Sequence, residues 1–282
     1  MKVWSVAKIH FTKMHGLGND FVMIDARRKA MPNLKKKARR ICDRRFGIGC
    51  DQLIVIAPSK TADYRMLILN ADGSFAEMCG NGIRCFAKYL WDRKDPKIRK
   101  KKEVTVETLA GIIRPKIVSD KLVCVDMGEP VLDAPLIPTR FEGRVVDKPI
   151  EVAGRQYRIT AVSMGNPHCV IFTDSVDAVK LEEEGPPLEN NPDFPKRTNV
   201  EFVEVVNKGR VKVRVWERGS GATLACGTGA CAVAVASALN GKTGRKVSVD
   251  LPGGTLKIEW GKDNHVYMTG PATEVFSGIM DI

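Results

Sequence analysis

The chain has 282 residues, 44% of them hydrophobic, and a formal net charge of +12. That length suits two ordinary domains, and no run approaches the roughly 18 apolar residues that argue for a transmembrane helix. The basic residues concentrate in Lys35-Lys36-Lys37-Ala38-Arg39-Arg40 and in 93–102. Neither run comes with an aromatic platform or a DNA-binding motif, so both read as solvated surface and no nucleic-acid partner is expected.

Residues 1–8 lack a long apolar segment and a small-residue cleavage site, so no secretory signal is expected and the default is a cytoplasmic protein. Its eight cysteines then read as free thiols. The spacing within Cys79/Cys85 and Cys226/Cys231 does not suit zinc, so no metal is expected.

A strand over 8–14 runs into turn chemistry at Gly16-Leu17-Gly18-Asn19-Asp20, and 21–25 resumes a strand. Asn33 is placed to cap a helix from Leu34 to about Arg45, with Leu34, Ala38, Ile41 and Cys42 on one face and Gly47 ending it. Strands follow at 53–56 and 64–69, the second ending in the turn Asn70-Ala71-Asp72-Gly73-Ser74. Next comes Met78-Cys79-Gly80-Asn81-Gly82-Ile83-Arg84-Cys85, then a helix to about Asp92 and strands at 104–109, 112–118 and 122–127. The Pro-rich span 130–149 reads as a linker.

After it the pattern restarts with strands, Gly165-Asn166-Pro167-His168 and a strand at 169–172. An acidic helix is expected at about 177–184 and a Pro-rich loop at 185–195, followed by strands at 201–206 and 210–216. Glu217 to Cys231 is a Gly-rich stretch, and the small, uncharged segment 232–239 reads as a buried helix. Strands at 247–251, 255–260 and 266–269 close the pattern.

The second half repeats the first. Shifting the numbering by 147 superposes Gly18-Asn19 on Gly165-Asn166, Gln52 on Asn199, Asn70 on Glu217, Cys79-Gly80 on Cys226-Gly227 and Gly82 on Gly229. One register aligning four separated motifs predicts an α/β (α+β type) fold of two homologous, pseudo-symmetric halves. Each half would be a mostly antiparallel sheet wrapped around a central helix, with the active site in the cleft between them. The expected division is 1–128, completed by 273–282, and 129–272.

The repeat pairs two thiols. Each cysteine falls at a helix N-terminus, where unpaired N–H groups and the dipole favour negative charge and bias a thiol toward thiolate. The backbone donors are Gly80 and Asn81 in one half, Gly227 and Thr228 in the other. Two thiols on opposite sides of a small ligand suit inversion at a carbon next to a carboxylate. One removes a proton, the other supplies one, and the N–H donors stabilise the charge that develops. Asn19, Gln52, Asn70, Asn166 and Asn199 supply uncharged hydrogen-bonding groups in the same register. Arg218 suits a second carboxylate and Glu217 an ammonium. His168 meets Phe21 in the repeat, so it reads as an orienting or core residue. Cys42, Cys50, Cys85, Cys124, Cys169 and Cys231 read as packing residues.

At these residues the sequence resembles diaminopimelate epimerases. The matching boxes are KMHGLGNDFVMID (13–25), GIGCDQL (47–53), NADGSFAEMCGNGIRC (70–85), GNPHCV (165–170), RTNVEF (197–202) and ERGSGATLACGTGACA (217–232). The resemblance implies a cofactor-independent enzyme that interconverts LL- and meso-diaminopimelate for lysine and, in many bacteria, cell-wall synthesis. It implies Cys79 and Cys226 as acid/base thiols and a homodimer. It also implies substrate contacts from Asn19, Gln52, Asn70, Gly80, Asn81, Asn166, Asn199, Glu217, Arg218, Gly227 and Thr228. Two positions depart from the family pattern: Cys50 stands where Ala is usual and Asn191 where His is common. The nearest alternative is a two-cysteine racemase or epimerase of the same fold with another substrate. An anion- or nucleotide-binding module, a pyridoxal-phosphate racemase and a basic RNA-binding protein are further classes. The chain has no G-x-x-x-x-G-K-[ST] loop, and no feature marks a Schiff-base lysine.

Overall fold

A computed structural model describes residues 8–281, so the N-terminal stretch read above for a secretory signal lies largely outside the described residues. In chain order the elements are β1 (Lys8–Gly16), β2 (Asn19–Asp25), α1 (Leu34–Cys42), β3 (Gln52–Ala57), β4 (Tyr64–Asn70), β5 (Phe75–Ala76), α2 (Gly80–Asp92) and α3 (Pro96–Lys101). Then come β6 (Val106–Thr108), β7 (Gly111–Ile113), β8 (Lys116–Ser119), β9 (Leu122–Asp126), a 3-10 turn at Ala134–Leu136, β10 (Lys148–Val152), β11 (Arg155–Ser163) and β12 (Pro167–Thr173). The last are α4 (Leu181–Glu189), β13 (Asn199–Asn207), β14 (Arg210–Glu217), β15 (Gly221–Thr223), α5 (Gly227–Leu239), β16 (Lys246–Leu251), β17 (Gly254–Trp260), β18 (Val266–Pro271) and β19 (Thr273–Asp281).

The chain forms two compact units, Met1–Val125 with Gly270–Ile282, and Asp126–Thr269. In the first, the strand order is β19-β1-β2-β3-β4-β6-β7, with β5 paired to β4. Alternation of buried and partly exposed positions along β4 from Tyr64 to Ile68 shows a sheet with one face more fully covered. The helix on that face is α2, whose Ile83, Phe86, Ala87 and Leu90 are fully buried. In the second unit the order β10-β11-β12-β13-β14-β16-β17-β18 carries β15 beside β14. Here the central helix is α5, and it is buried from Gly227 to Ser237 except at Thr228. Its small side chains allow sheet to approach on all sides, which explains a helix with no charged face. Most neighbouring strands are antiparallel; β2–β3, β4–β6, β12–β13 and β14–β16 are parallel.

The repeat holds at the level of strand register. Phe21 pairs with Gln52 across β2–β3, and His168 pairs with Asn199 across β12–β13, each displaced by 147. Ile68 opposite Ala76 becomes Val215 opposite Thr223, and α2 and α5 coincide from first residue to last. Beyond the helices the offset changes. Glu107 opposite Ile112 becomes Asp250 opposite Thr255, a displacement of 143, because α3 and its approach occupy more residues in the first unit.

Several local expectations change. Helix α1 stops at Cys42, not near Arg45, because the Asp43 carboxylate accepts from the amides of Arg45 and Phe46, both at 2.7 Å. Asn33 makes no side-chain cap; it sits in the left-handed region at φ 58°. The expected strand 112–118 splits into β7 and β8 around Pro115, which has no N–H for a ladder. The acidic helix lies later than expected and runs through Pro186 and Pro187. Leu181 and Leu188 anchor it in the core, and Gly185 lies against Trp216, where a Cβ would come within 2.5 Å of the indole. Packing at those three points overrides the local proline signal. The Pro-rich span 130–149 holds the 3-10 turn and the first residues of β10.

Candidate active site

Cys79 and Cys226 are the N-caps of α2 and α5, both with extended backbone (φ −143° and −115°). Each sulfur accepts from the amide three residues on, Gly82 and Gly229, at 3.4 Å in both cases. The packing leaves little space for a side chain at either position, and at Gly229 glycine is a steric requirement. A Cβ on Gly82 would lie 2.9 Å from Ile54, and one on Gly229 would lie 2.7 Å from the Glu201 carboxylate and 3.2 Å from Cys226 Sγ. The Cys-Gly-x-Gly motif therefore packs a helix end tightly and aims its amides at a sulfur.

The first unit surrounds its thiol with amides. Cys79 is half-buried, and its Sγ lies 3.6 Å from Asn19 Oδ1. The same oxygen accepts from Asn81 Nδ2 at 3.2 Å. Asn19 Nδ2 donates to Asp51 at 2.7 Å, and Asn81 Oδ1 accepts from the fully buried Arg84 at 2.9 Å. A second amide pair lies at the ends of β3 and β4, where Gln52 Nε2 donates to Asn70 Oδ1 at 2.8 Å. Gln52 Oε1 is buried with no hydrogen-bond partner, which suits a group awaiting a donor from a ligand. Gly80 is the first residue of α2.

The second unit surrounds its thiol with carboxylates and hydroxyls. Cys226 is 5% exposed and lies 3.5 Å from the Thr228 hydroxyl. Glu217 is close enough to the Cys226 thiol for its charge to act on it, and it accepts from Thr223 at 2.6 Å. Burial raises the proton affinity of Glu217. It also pushes the Cys226 thiol well above its ordinary range, with the charges of Glu217 and Glu201 acting in the same direction. The expectation that the helix terminus biases this thiol toward thiolate therefore fails. Bonds from Gly229 and Thr228 favour the charged form, but burial and two carboxylates outweigh them.

The loop after β14 is held from two sides. Asn199 Oδ1 accepts from the Arg218 amide at 2.9 Å, and Glu189 accepts from the amide of Gly219 at 2.9 Å and from Trp216 Nε1 at 2.8 Å. The Arg218 guanidinium donates to the Lys196 carbonyl at 3.1 Å. Asn166 bonds His168 at 3.0 Å, and His168 bonds Glu201 at 2.7 Å, with His168 and Glu201 fully buried. Gly227 opens α5.

The residues that sequence reasoning missed are Asp51, Arg84, Glu189, Glu201 and Thr223. Their positions in the other half are Thr198, Cys231, Cys42, Ile54 and Ala76, so the repeat could not mark them. Asp51 and Glu201 do carry one signal: Asp51 directly precedes Gln52, and Glu201 lies two residues after Asn199, both register-matched amides. Among the described residues no group of three or more His, Cys, Asp or Glu is arranged to hold a metal ion.

The diaminopimelate epimerase family profile matches residues 11–132 and 160–275. The chain belongs to the diaminopimelate epimerase family. It is 54% identical over 277 residues to the diaminopimelate epimerase of Pelotomaculum thermopropionicum, spanning 96% of this chain and 98% of that one. The corresponding protein of Synechocystis sp. is 52% identical over 280 residues, spanning 97% and 99%. Among solved structures, a PhzF-family phenazine biosynthesis protein from Bacillus anthracis shares the fold, with a TM-score of 0.71 at 16% identity over 98% of this chain and all of that one. A hydroxyproline epimerase from Agrobacterium vitis does so at a TM-score of 0.67 and 15% identity, over 97% and 91%.

Proposed function

We propose that this chain interconverts LL- and meso-diaminopimelate, a step in lysine biosynthesis, by inverting one α-carbon with two thiols and no cofactor. It is an isomerase, as its family membership states. The observation that carries the mechanism is the pair of matched caps, each with a cysteine receiving a helix amide at 3.4 Å. In the proposed reaction one sulfur, as thiolate, takes the α-proton. Electron density moves into the adjacent carboxylate, where first-turn amides stabilise it. The other sulfur, as thiol, gives its proton to the opposite face. The enzyme finishes with the two protonation states exchanged, so the pair titrates as a unit.

Cys79 and Cys226 are the acid/base pair in this reading. Glu217 stands near Cys226, where its charge helps to hold the proton on that sulfur. Asn19, Gln52, Asn70, Gly80, Asn81, Asn166, Asn199, Glu217, Arg218, Gly227 and Thr228 bind substrate, with Arg218 on the distal carboxylate. The same reading includes a homodimer. Its support is the outer strand β19, where Val275, Phe276 and Ile279 are each about half exposed. It also places the enzyme in the cytoplasm, in keeping with eight free cysteines. No helix among the described residues is long and apolar enough to cross a membrane.

The test is reduced enzyme in D₂O without added cofactor, offered diaminopimelate, proline, hydroxyproline and other amino acids. Solvent deuterium at the α-carbon of diaminopimelate, with epimerisation, is the expected result. Exchange into a different amino acid alone, or into none, would overturn the assignment. Light scattering of the same sample reads the dimer.

A further inference from the structure

Neutral amides are ambiguous partners, because either end can face a neighbour. At Cys79 the structure removes that ambiguity from both sides. Arg84 is a donor only, and its guanidinium meets Asn81 Oδ1 at 2.9 Å. The Nδ2 end of Asn81 must then face Asn19, where it meets Oδ1 at 3.2 Å. At the far end Asp51 is an acceptor only, and it takes Asn19 Nδ2 at 2.7 Å. Arg44 braces that carboxylate at 2.6 Å on its other oxygen. The chain Arg84, Asn81, Asn19, Asp51 thus runs from cation to anion with every amide dipole pointing one way.

We propose that Asp51 is a positioning residue for the reaction, holding the Asn19 amide so that its carbonyl oxygen, and never its N–H, faces the Cys79 sulfur. The inference rests on the reading of Cys79 as an acid/base thiol. A carbonyl oxygen accepts from S–H and so favours the protonated sulfur, whereas the Gly82 amide on the same sulfur favours thiolate. Cys79 is thereby poised between its two working states. An Asn19 turned the other way would place N–H donors on two sides of the sulfur, trap the thiolate and weaken the site as a proton donor.

The experiment compares wild-type enzyme with Asp51→Ala, Asp51→Glu and Arg44→Gln. It reads kcat and KM for diaminopimelate and, in the free enzyme at one pH, the iodoacetamide labelling rates of Cys79 and Cys226 by peptide mass spectrometry. Asp51 lies at the surface, with its side chain 42% exposed, so the fold should tolerate each change. Asp51→Ala is expected to raise the Cys79-to-Cys226 labelling ratio about three- to tenfold, the weight of one hydrogen bond that favours the neutral form. It should also lower kcat about tenfold or more. Asp51→Glu restores an acceptor and brings the ratio back toward wild type. Arg44→Gln removes the neighbouring ion pair but leaves the acceptor, and keeps the ratio within about twofold, as befits an exposed ion pair. An unchanged ratio in Asp51→Ala overturns the proposal, as does an equal shift in Arg44→Gln, which would make the effect one of charge. Loss of packing would raise both labelling rates together. If the wild type fails to epimerise diaminopimelate, the functional reading fails, while the labelling ratio still reports on the amide chain.

Discussion

The two helix caps share a backbone and differ in almost everything around it. Residue for residue, α2 and α5 begin and end at equivalent positions, and the sulfur-to-amide distance is the same. Yet Cys79 is half-exposed among amides that Arg84 and Asp51 orient, whereas Cys226 is buried beside Glu217, Glu201 and Thr228. An inverting enzyme acts on two faces of one carbon, but its substrate is not symmetric about that carbon. In the proposed mechanism the repeated fold supplies two proton-transfer positions, and the differing neighbours set each one's proton affinity separately. In this molecule hydrogen-bond polarity does that work in one half, and burial with nearby charge does it in the other.

The largest expected effect removes one member of the pair. Cys79→Ala and Cys226→Ala should each lower kcat for epimerisation by about 10²–10⁴-fold, the usual weight of a positioned acid/base group, with circular dichroism unchanged. Near-normal turnover in either variant would leave its half with no catalytic part in the comparison. The glycines come next. Alanine at Gly229 drives a Cβ against the Glu201 carboxylate, which His168 holds at 2.7 Å in a fully buried site, so neither group can yield. Alanine at Gly82 meets the end of the Ile54 side chain instead. Overpacking costs about 1–3 kcal/mol and alanine returns up to about 1 kcal/mol of helix propensity. Urea unfolding should therefore show Gly229→Ala clearly destabilised and Gly82→Ala close to neutral. The reverse order would mean that the second half is the more yielding one.

The third prediction concerns charge. Burial raises Cys226 first, and Glu217 and Glu201 add to it. A raised proton affinity means that the thiolate fraction grows as pH rises toward that value, so wild-type Cys226 labelling should climb about tenfold per pH unit through neutral pH. Glu217→Gln removes one negative neighbour and eases deprotonation. At fixed pH Cys226 should label several-fold faster while Cys79 does not change, and epimerisation should fall. Slower labelling of Cys226 would show that Glu217 acts as its proton acceptor more than as a repelling charge.

What the sequence carries follows the same division. Elements that both halves need were legible from the repeat: the caps, the glycines, the paired strands and the amides at Asn19 and Asn199. Asp51, Arg84, Glu189 and Glu201 belong to one half each, so no register marks them, and their roles depend on contacts distant in the chain, 33 residues between His168 and Glu201 and 30 between Glu189 and Gly219. The thiolate bias at Cys226 was misjudged for a related reason. A helix terminus is visible in the sequence, whereas the burial and the two carboxylates that outweigh it appear only once β13, β14 and α5 are packed. The misplaced α4 has the same origin, since Gly185 on Trp216 is a tertiary contact that prolines do not announce.

The smallest expected effect tests the outer faces of the two central helices. Helix α2 keeps a solvent-facing strip, on which Lys88 pairs with Asp92 one turn on, their side chains 14% and 27% exposed. The equivalent residues of α5 are Val235 and Leu239, and Val235 is fully buried. A charged pair one turn apart at a helix surface contributes about 0.3–0.5 kcal/mol. Lys88→Ala should therefore lower stability by only a few tenths of a kcal/mol, partly offset by the better helix propensity of alanine, and high salt should erase the difference. Val235→Ala removes two methyl groups from a site with no solvent to refill it and should cost about 1–3 kcal/mol. Equal losses in the two variants would show that α2 is enclosed as completely as α5, and that the first half owes its half-exposed thiol to something other than an open helix face.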